Sequence, residues 1–445
     1  MKTKKVEEFS EFLIRTTRDE IPLKSIKRDK SSIDVRTITF QVTDACNLAC
    51  TYCYQINKHT NRMSFETAKK FIDLLFEDYK REDSYVYDTR GIILEFIGGE
   101  PLLEIELIDQ ICDYFYYKAI NEIPRWAINS RISMISNGVL YFDKKVQDFL
   151  EKYNGRVSFD ISVDGCKELH DACRVFPDGR PTYDLASKAC LYHKKHFNKN
   201  MSTKMTIAPA NVKYLYKAIV NLIENLHYEV IHCNCVYEEG WEQEHAIELY
   251  KQLKMVSDYI IDNDLEEVQY VRLLDNNLFG KVDLEVDDKN YCGSTGCMLA
   301  CDPFGKIFPC IRFMETSLGN SVEPWILGDV DNGIGILPKH KEKINILDSI
   351  TFTSQSPQKC IDCPISAGCG WCTGYNYQVT GTPNKRLTYT CEMHKATALA
   401  NVYYWNKCYI KHDEDERFEM RVPKEWALNI ISEDEYNMLC DLAKK

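Results

Sequence analysis

The chain has 445 residues, 44% of them hydrophobic and 27% charged, with a net charge of -12. This is an ordinary globular balance, long enough for two or three domains, and its acidity disfavours a nucleic-acid footprint. No apolar run reaches the length of a membrane span, and the charged start Met1-Lys-Thr-Lys-Lys carries no apolar signal region, so a cytoplasmic protein with no membrane partner is expected.

Residues 1–35 are polar and mixed in pattern and read as an N-terminal extension, a short helix and a linker, with Lys24 to Lys30 as a solvated basic stretch. From Arg36 onward, apolar runs of strand length alternate with amphipathic runs of helix length. Strands are expected over Thr37–Val42, Ile92–Ile97, Ile132–Ser136, Arg156–Val163, Thr203–Ala208 and Val230–Val236. Helices are expected over Ser64–Tyr79, Ile105–Lys118, Lys144–Tyr153, Tyr183–His196, Lys213–Asn225 and Glu242–Asp262. This order predicts an α/β fold: a parallel sheet covered by helices, closing into a partial (β/α)6 barrel of the TIM type over residues 36–264. Its chemistry belongs at the C-terminal ends of the strands. Residues 265–290 read as an acidic bridge with one helix, 291–395 as a cysteine-rich domain and 396–445 as a helical tail, with helices over Glu392–Lys407 and Ser432–Lys444.

The first strand runs into Thr43-Asp-Ala-Cys-Asn-Leu-Ala-Cys-Thr-Tyr-Cys-Tyr54, which places Cys46, Cys50 and Cys53 on one loop with C-x3-C-x2-C spacing. Three thiolates on a four-iron cluster leave one iron open. An open iron can chelate the amine and carboxylate of S-adenosylmethionine, and electron transfer into the sulfonium releases a 5′-deoxyadenosyl radical. The competing reading is structural zinc, which wants four closed ligands; the only nearby fourth candidate, His59, is off any usual spacing.

The second strand ends in Gly98-Gly99-Glu100-Pro101, where two glycines permit close backbone approach and Glu100 can receive an ammonium group. The third and fourth strands end in Ser136-Asn137-Gly138 and Ser162-Val163-Asp164-Gly165, small polar residues suited to a ribose. His170, Asp171 and Arg174 follow on an expected loop, and Arg174 can pair with a carboxylate. Capping or a surface ion pair is the competing reading for each of these residues.

Further along, Cys292, Cys297 and Cys310 precede Cys360-x2-Cys363-x5-Cys369-x2-Cys372 and then Cys391. Asp302 to Cys310 reads as a β-hairpin with Gly305 at its turn. Eight cysteines suit two four-iron clusters, and one or two structural zincs are the alternative. Cys301 competes with Cys297 as a ligand. Most of the nine cysteines outside these sets are expected to pack as small buried hydrophobes. They include Cys233 and Cys235, two apart on one strand face.

Residues 36 to 395 thus resemble the radical S-adenosylmethionine enzymes that carry a C-terminal SPASM domain with two auxiliary iron–sulfur clusters. Cys292, Gly305, Cys310, Cys360, Cys363, Cys369 and Cys391 match the family pattern, and Cys372 comes one residue early. The resemblance implies three four-iron clusters: Cys46, Cys50 and Cys53 on the first, Cys360, Cys363, Cys369 and Cys391 on an outer one, and Cys292, Cys297, Cys310 and Cys372 on the one nearer the active site. It implies that Gly98, Gly99 and Glu100 hold the methionine amine, Ser162 the ribose and Arg174 the carboxylate.

The family modifies peptides and proteins with a reductant such as flavodoxin or ferredoxin. Sulfatase-maturating members, which make formylglycine, place an Asp directly after the hairpin cysteine; Ile311 and Arg312 stand there instead. The stretches Cys369 to Tyr377 and Met393 to Ala400 look most like maturases of ribosomally made peptides, which implies crosslinking through Cys thioethers. Carbon–carbon or carbon–oxygen crosslinking is the nearest alternative, and a non-catalytic electron carrier is the alternative from another class. About 45 residues precede Cys46, too few for the leader-binding module of many such maturases. That module is then absent, a separate partner protein, or replaced by another surface.

Overall fold

A computed structural model describes residues 35–197, 202–238, 240–288, 290, 292–319 and 322–444, so the expected N-terminal helix lies outside the described residues. Two compact units divide the chain.

The first unit runs from the described start of the chain to Asn47, then takes Cys53–Asp160 and Tyr291–Ser349. Its strands are β1 (Val35–Thr43), β2 (Gly91–Gly98), β3 (Arg131–Ser136) and β4 (Val157–Ile161), all within two residues of the expected bounds. They lie side by side in that order, and β1–β2 and β2–β3 are parallel. Alternation fixes their faces. Ile38, Phe40 and Val42 of β1 and Ile92, Leu94 and Phe96 of β2 are fully buried. Phe40 stacks on Phe96 at 5.5 Å and meets Phe71 of α1 (Phe65–Asp78) edge-on at 5.2 Å. Ser64 caps α1 by accepting from the Thr67 amide at 3.0 Å. The helices α2 (Ile105–Glu122), α3 (Pro124–Asn129) and α4 (Lys144–Lys152) complete this unit's regular helices before β4.

The hairpin of the cysteine-rich region belongs to the same sheet. Strands β8 (Met298–Cys301), β9 (Lys306–Phe308), β10 (Gly328–Asp329) and β11 (Gly333–Ile334) extend it beyond β1, which pairs in parallel with β8. The β8–β9 turn is built by Asp302, whose Oδ1 accepts from the Phe304 and Lys306 amides at 2.9 Å each, and by Gly305 at φ +84°.

The second unit comprises Leu48–Tyr52, Ile161–Asn290 and Ile350–Lys445. Strands β5 (Ser202–Ile207), β6 (Val230–Cys235) and β7 (Tyr270–Val271) form a parallel sheet of their own. Its helices are α5 (Lys167–Cys173), α6 (Tyr183–Phe197), α7 (Leu215–Glu224), α8 (Gln243–Asp262), α9 (Thr373–Thr380), α10 (Cys391–Lys411) and α11 (Glu433–Leu442), besides several single turns. Helix α5 replaces the loop expected after Gly165. The acidic bridge holds one α-helical turn, Leu284–Asp287, and also strand β7 and two 3-10 turns, Arg272–Leu274 and Asn276–Leu278.

The α/β class and the parallel strand–helix order hold. Among the described residues no helix is long and apolar enough to cross a membrane. Phe40→Ala should cost the first unit about 3–5 kcal/mol, since it empties the contact between β1, β2 and α1; urea titration against the wild type measures the loss.

Candidate functional site

The loop from Ala45 begins at the C-terminal end of β1. It is tied to the end of β2 by Gly99 N–H donating to Thr43 O at 3.0 Å and Glu100 N–H donating to Ala45 O at 2.9 Å. A Cβ on Gly99 would stand 2.3 Å from Ala45 O and 2.7 Å from the Cys46 Cβ, and one on Gly98 would stand 2.6 Å from Thr43 O. The glycines therefore admit the cysteine loop itself. Cys46, Cys50 and Cys53 are all half-buried. A cavity of about 470 Å³ opens beside Cys46, lined by Lys58, His59, Thr60 and Asn61.

Glu100 is buried and held by three donors. Its Oε1 accepts from Ser136 Oγ at 2.7 Å and from the Leu102 amide at 3.1 Å, and its Oε2 accepts from the Asn137 amide at 2.9 Å. Ser136, read from sequence as a ribose contact, is thus a positioning partner of Glu100. Asn137 also donates through Nδ2 to Asn47 Oδ1 at 2.7 Å.

In the second unit, the Cys50 segment is fixed by Ala49 N–H donating to Val175 O at 2.8 Å and Thr51 N–H to Cys173 O at 3.0 Å. Asp164, 0% exposed, accepts from Arg174 Nε at 2.8 Å and from the Tyr52 hydroxyl, while the Arg174 guanidinium lies 5.4 Å over the Tyr52 ring. Burial alone would weaken the charge on Arg174, but Asp164, Tyr52 and Cys50 outweigh it and hold the guanidinium firmly protonated. Among the described residues Asp164 Oδ1 is buried with no hydrogen-bond partner. A buried carboxylate oxygen without a donor is costly, so this position fits a ligand hydroxyl. Ser162 lies on the same β4-to-α5 connection, half-buried. His170 braces it: Nδ1 accepts from the Asp164 amide at 3.3 Å, and Nε2 meets Thr182 Oγ1 at 3.1 Å. Asp171 Oδ1 caps α6 by accepting from the Thr182 and Tyr183 amides at 3.0 and 2.8 Å.

Cys360, Cys363, Cys369 and Cys391 are mutual electrostatic neighbours. Burial pushes all four thiols up, Cys369 to about 11, and Arg386 opposes that shift at each of them. Cys372 caps α9, its Sγ accepting from the Tyr375 amide at 3.4 Å. In the first unit Cys297 lies beside Arg36 and Tyr85, Cys292 Sγ lies 3.2 Å from Ser294 Oγ, and Cys310 and Cys53 both act on half-buried Tyr54. Cys301 is 0% exposed on β8, and burial raises its thiol far above the usual range, whereas Cys297 is half-buried just before the strand. Cys112, Cys166, Cys190, Cys233 and Cys408 are buried, as expected of packing cysteines. Among the described residues no group of three His, Cys, Asp or Glu stands close enough to hold a single metal ion.

The sequence reading missed Tyr52 as a partner of Asp164, and it missed a constellation around Tyr54. Arg312 lies 5.7 Å over the Tyr54 ring, and Glu95, whose Oε2 accepts from Thr39 Oγ1 at 2.5 Å, acts on the same tyrosine. The aromatics flanking Cys53 were the available signal for both.

A family model described as a 4Fe-4S single cluster domain matches residues 35–200. The radical SAM cyclopropyl synthase TigE of Paramaledivibacter caminithermalis is 22% identical over 409 residues, 88% of this chain and 79% of that protein. The antilisterial bacteriocin subtilosin biosynthesis protein AlbA of Bacillus subtilis is 24% identical over 353 residues, 75% of this chain and 66% of that protein. An uncharacterized protein of Methanocaldococcus jannaschii is 30% identical over 189 residues; these cover 42% of this chain and only 59% of the relative's length. In fold, the chain is similar to native anSMEcpe with bound AdoMet and Cp18Cys peptide, with a TM-score of 0.61 at 18% identity, covering 85% of this chain and 98% of that one. By these findings the chain is similar to radical S-adenosylmethionine enzymes, peptide maturases among them.

Burial holds the His170 pKa at about 4, below the ordinary 6.5. The unfolded chain therefore binds the proton first as pH falls, so the contribution of His170 is complete above about pH 6.5 and is lost toward pH 4, by up to about 3 kcal/mol. His394, also pushed by burial to about 4, acts in the same direction. Urea midpoints measured from pH 7.5 to 4.5 should fall in the wild type and fall less in His170→Gln.

Proposed function

We propose that the chain crosslinks a ribosomally made peptide by radical chemistry, through thioether bonds from peptide cysteines. The observation that carries the reading is the anchoring of the Cys46 loop to the Gly98–Glu100 turn, which would set an open cluster iron beside an amine-binding carboxylate. When bound, the cluster and S-adenosylmethionine supply a carbon radical able to take a hydrogen atom from the substrate. Gly98, Gly99 and Glu100 would receive the methionine amine, with Ser136 and the Asn137 amide orienting the carboxylate. Ser162 and the open Asp164 Oδ1 would bind the ribose, and Arg174, fixed on Asp164 and Tyr52, would pair its remaining guanidinium N–H groups with the cofactor carboxylate.

Three clusters belong to this reading, on Cys46, Cys50 and Cys53, on Cys292, Cys297, Cys310 and Cys372, and on Cys360, Cys363, Cys369 and Cys391. The half-burial of Cys297 supports it over Cys301. A cytoplasmic location, a flavodoxin- or ferredoxin-type reductant and a separate leader-binding protein belong to the same reading, with domain bounds at 36–264, 265–290, 291–395 and 396–445.

Formation of a carbon–carbon bond is the second reading, favoured by the similarity to a cyclopropyl synthase over 88% of the chain. Formylglycine formation has some support in the likeness to anSMEcpe and in the Glu95 carboxylate near Tyr54. It lacks the carboxylate directly after Cys310, where Ile311 begins a single helical turn. Mass spectrometry of the product after thiol alkylation separates the three. Thioether formation predicts a loss of two hydrogens per modification, sulfur retained and one alkylatable thiol fewer. Undiminished thiols with the same mass loss and no aldehyde reactive toward a hydrazine reagent would establish carbon–carbon or carbon–oxygen bonding; an aldehyde would establish formylglycine, with sulfur lost if it arises from cysteine and retained if it arises from serine.

A further inference from the structure

Arg386 belongs to none of the motifs. Its side chain is 6% exposed. The guanidinium lies 4.5 Å over the Trp371 ring and 5.5 Å over the Phe352 ring. Nη2 donates to Cys369 O at 3.2 Å, and the Arg386 amide donates to Gln355 O at 2.8 Å. Among the described residues no carboxylate pairs with Arg386, and its Nη1 is buried without any acceptor. A buried cation with neither counter-charge nor full hydrogen bonding is expensive. The deficit extends to its neighbours. Gln355 carries a buried side-chain amide with no partner. Asn376, whose Oδ1 accepts from the Leu387 amide at 3.1 Å, has a buried Nδ2 with none. Three donors fixed to one short segment therefore lack acceptors.

The four thiols of the outer set all lie within electrostatic reach of this cation. Arg386 acts on Cys360, Cys363, Cys369 and Cys391 alike, whereas Lys359 and Lys395 each act on two. Lys359 is exposed, and Lys395 is paired with Glu392 at 2.7 Å. Trp371 and Phe352 hold the guanidinium plane and keep water from it.

We propose that Arg386 is a positioning residue for the outer cluster: its Nη1 donates a hydrogen bond to a cluster sulfur and holds the cluster's reduction potential up. The inference rests on the reading that these four cysteines carry a four-iron cluster. That cluster is net anionic with four thiolates, and adding an electron makes it more so. A buried cation hydrogen-bonded to its sulfur stabilises the reduced form more than the oxidised one. The unpaired charge and the missing acceptor then have one common explanation.

The test is an EPR-monitored titration with dithionite of anaerobically reconstituted protein, with iron content measured alongside. In Arg386→Gln that retains all its iron, the reduced-to-oxidised ratio of one cluster at the wild-type midpoint should fall about tenfold or more, which is 59 mV for one electron. Arg386→Lys, which keeps the charge and loses the planar fork, should shift less. An unchanged midpoint in iron-replete Arg386→Gln overturns the proposal. Should that variant fail to fold or load iron, wild-type protein grown with 15N-arginine decides. Pulsed EPR of the reduced outer cluster should show a guanidinium 15N coupling, and its absence overturns the proposal. Iron content that is the same in Cys360→Ala and Cys369→Ala as in the wild type would instead remove the outer cluster, and the proposal with it.

Discussion

The arrangement of the candidate site depends on one close contact between backbones. Gly99 presses on Ala45 and Cys46 without room for a methyl group, and the amide of Glu100 closes onto Ala45 O. This contact fixes the start of the cysteine loop and the Glu100 carboxylate with the same pair of hydrogen bonds. The loop lies at the end of β1 because the hydrophobic alternation of β1 and β2 locks their register, Phe40 opposite Phe96, and so brings Thr43 level with Gly98. The core of the first unit and the geometry of its site are in this sense one constraint.

A second, electrostatic constraint operates in the second unit. Asp164 and Arg174 are both largely removed from water, and Asp164 stabilises the charge on Arg174, with Tyr52 contributing from the cysteine segment. A buried pair of this kind adds little net stability and a great deal of orientation. His170 carries that orientation back into the helix layer through the Asp164 amide, and its imidazole must stay neutral to accept that bond.

Much of this was legible in the sequence, for identifiable reasons. The six long strands carry β-branched or apolar alternation over five residues or more, and all were located to within two residues at every end. Helix α5 was not, because Lys167–Cys173 is seven residues long and mostly polar, with no apolar stripe to set a period. Strands β10 and β11, two residues each, have no periodicity to find, so the extension of the first sheet past the hairpin was not visible. The cysteine spacings announced their chemistry, and the two glycines announced close approach. What spacing could not show was that the approach is to the loop backbone, that Ser136 donates to Glu100, or that one buried cation, Arg386, acts on all four outer thiols. Those facts depend on contacts between segments apart in the chain, which only the folded chain reveals.

The central claim is that the Cys46, Cys50 and Cys53 loop leaves an iron open to S-adenosylmethionine. The most direct measurement is 5′-deoxyadenosine released when the anaerobically reconstituted, dithionite-reduced protein is mixed with S-adenosylmethionine, for the wild type and for the chain with all three cysteines changed to Ala. The account predicts 5′-deoxyadenosine from the wild type and none from the triple variant, with the auxiliary-cluster iron still present. Equal release from both, or none from an iron-replete wild type, would contradict it.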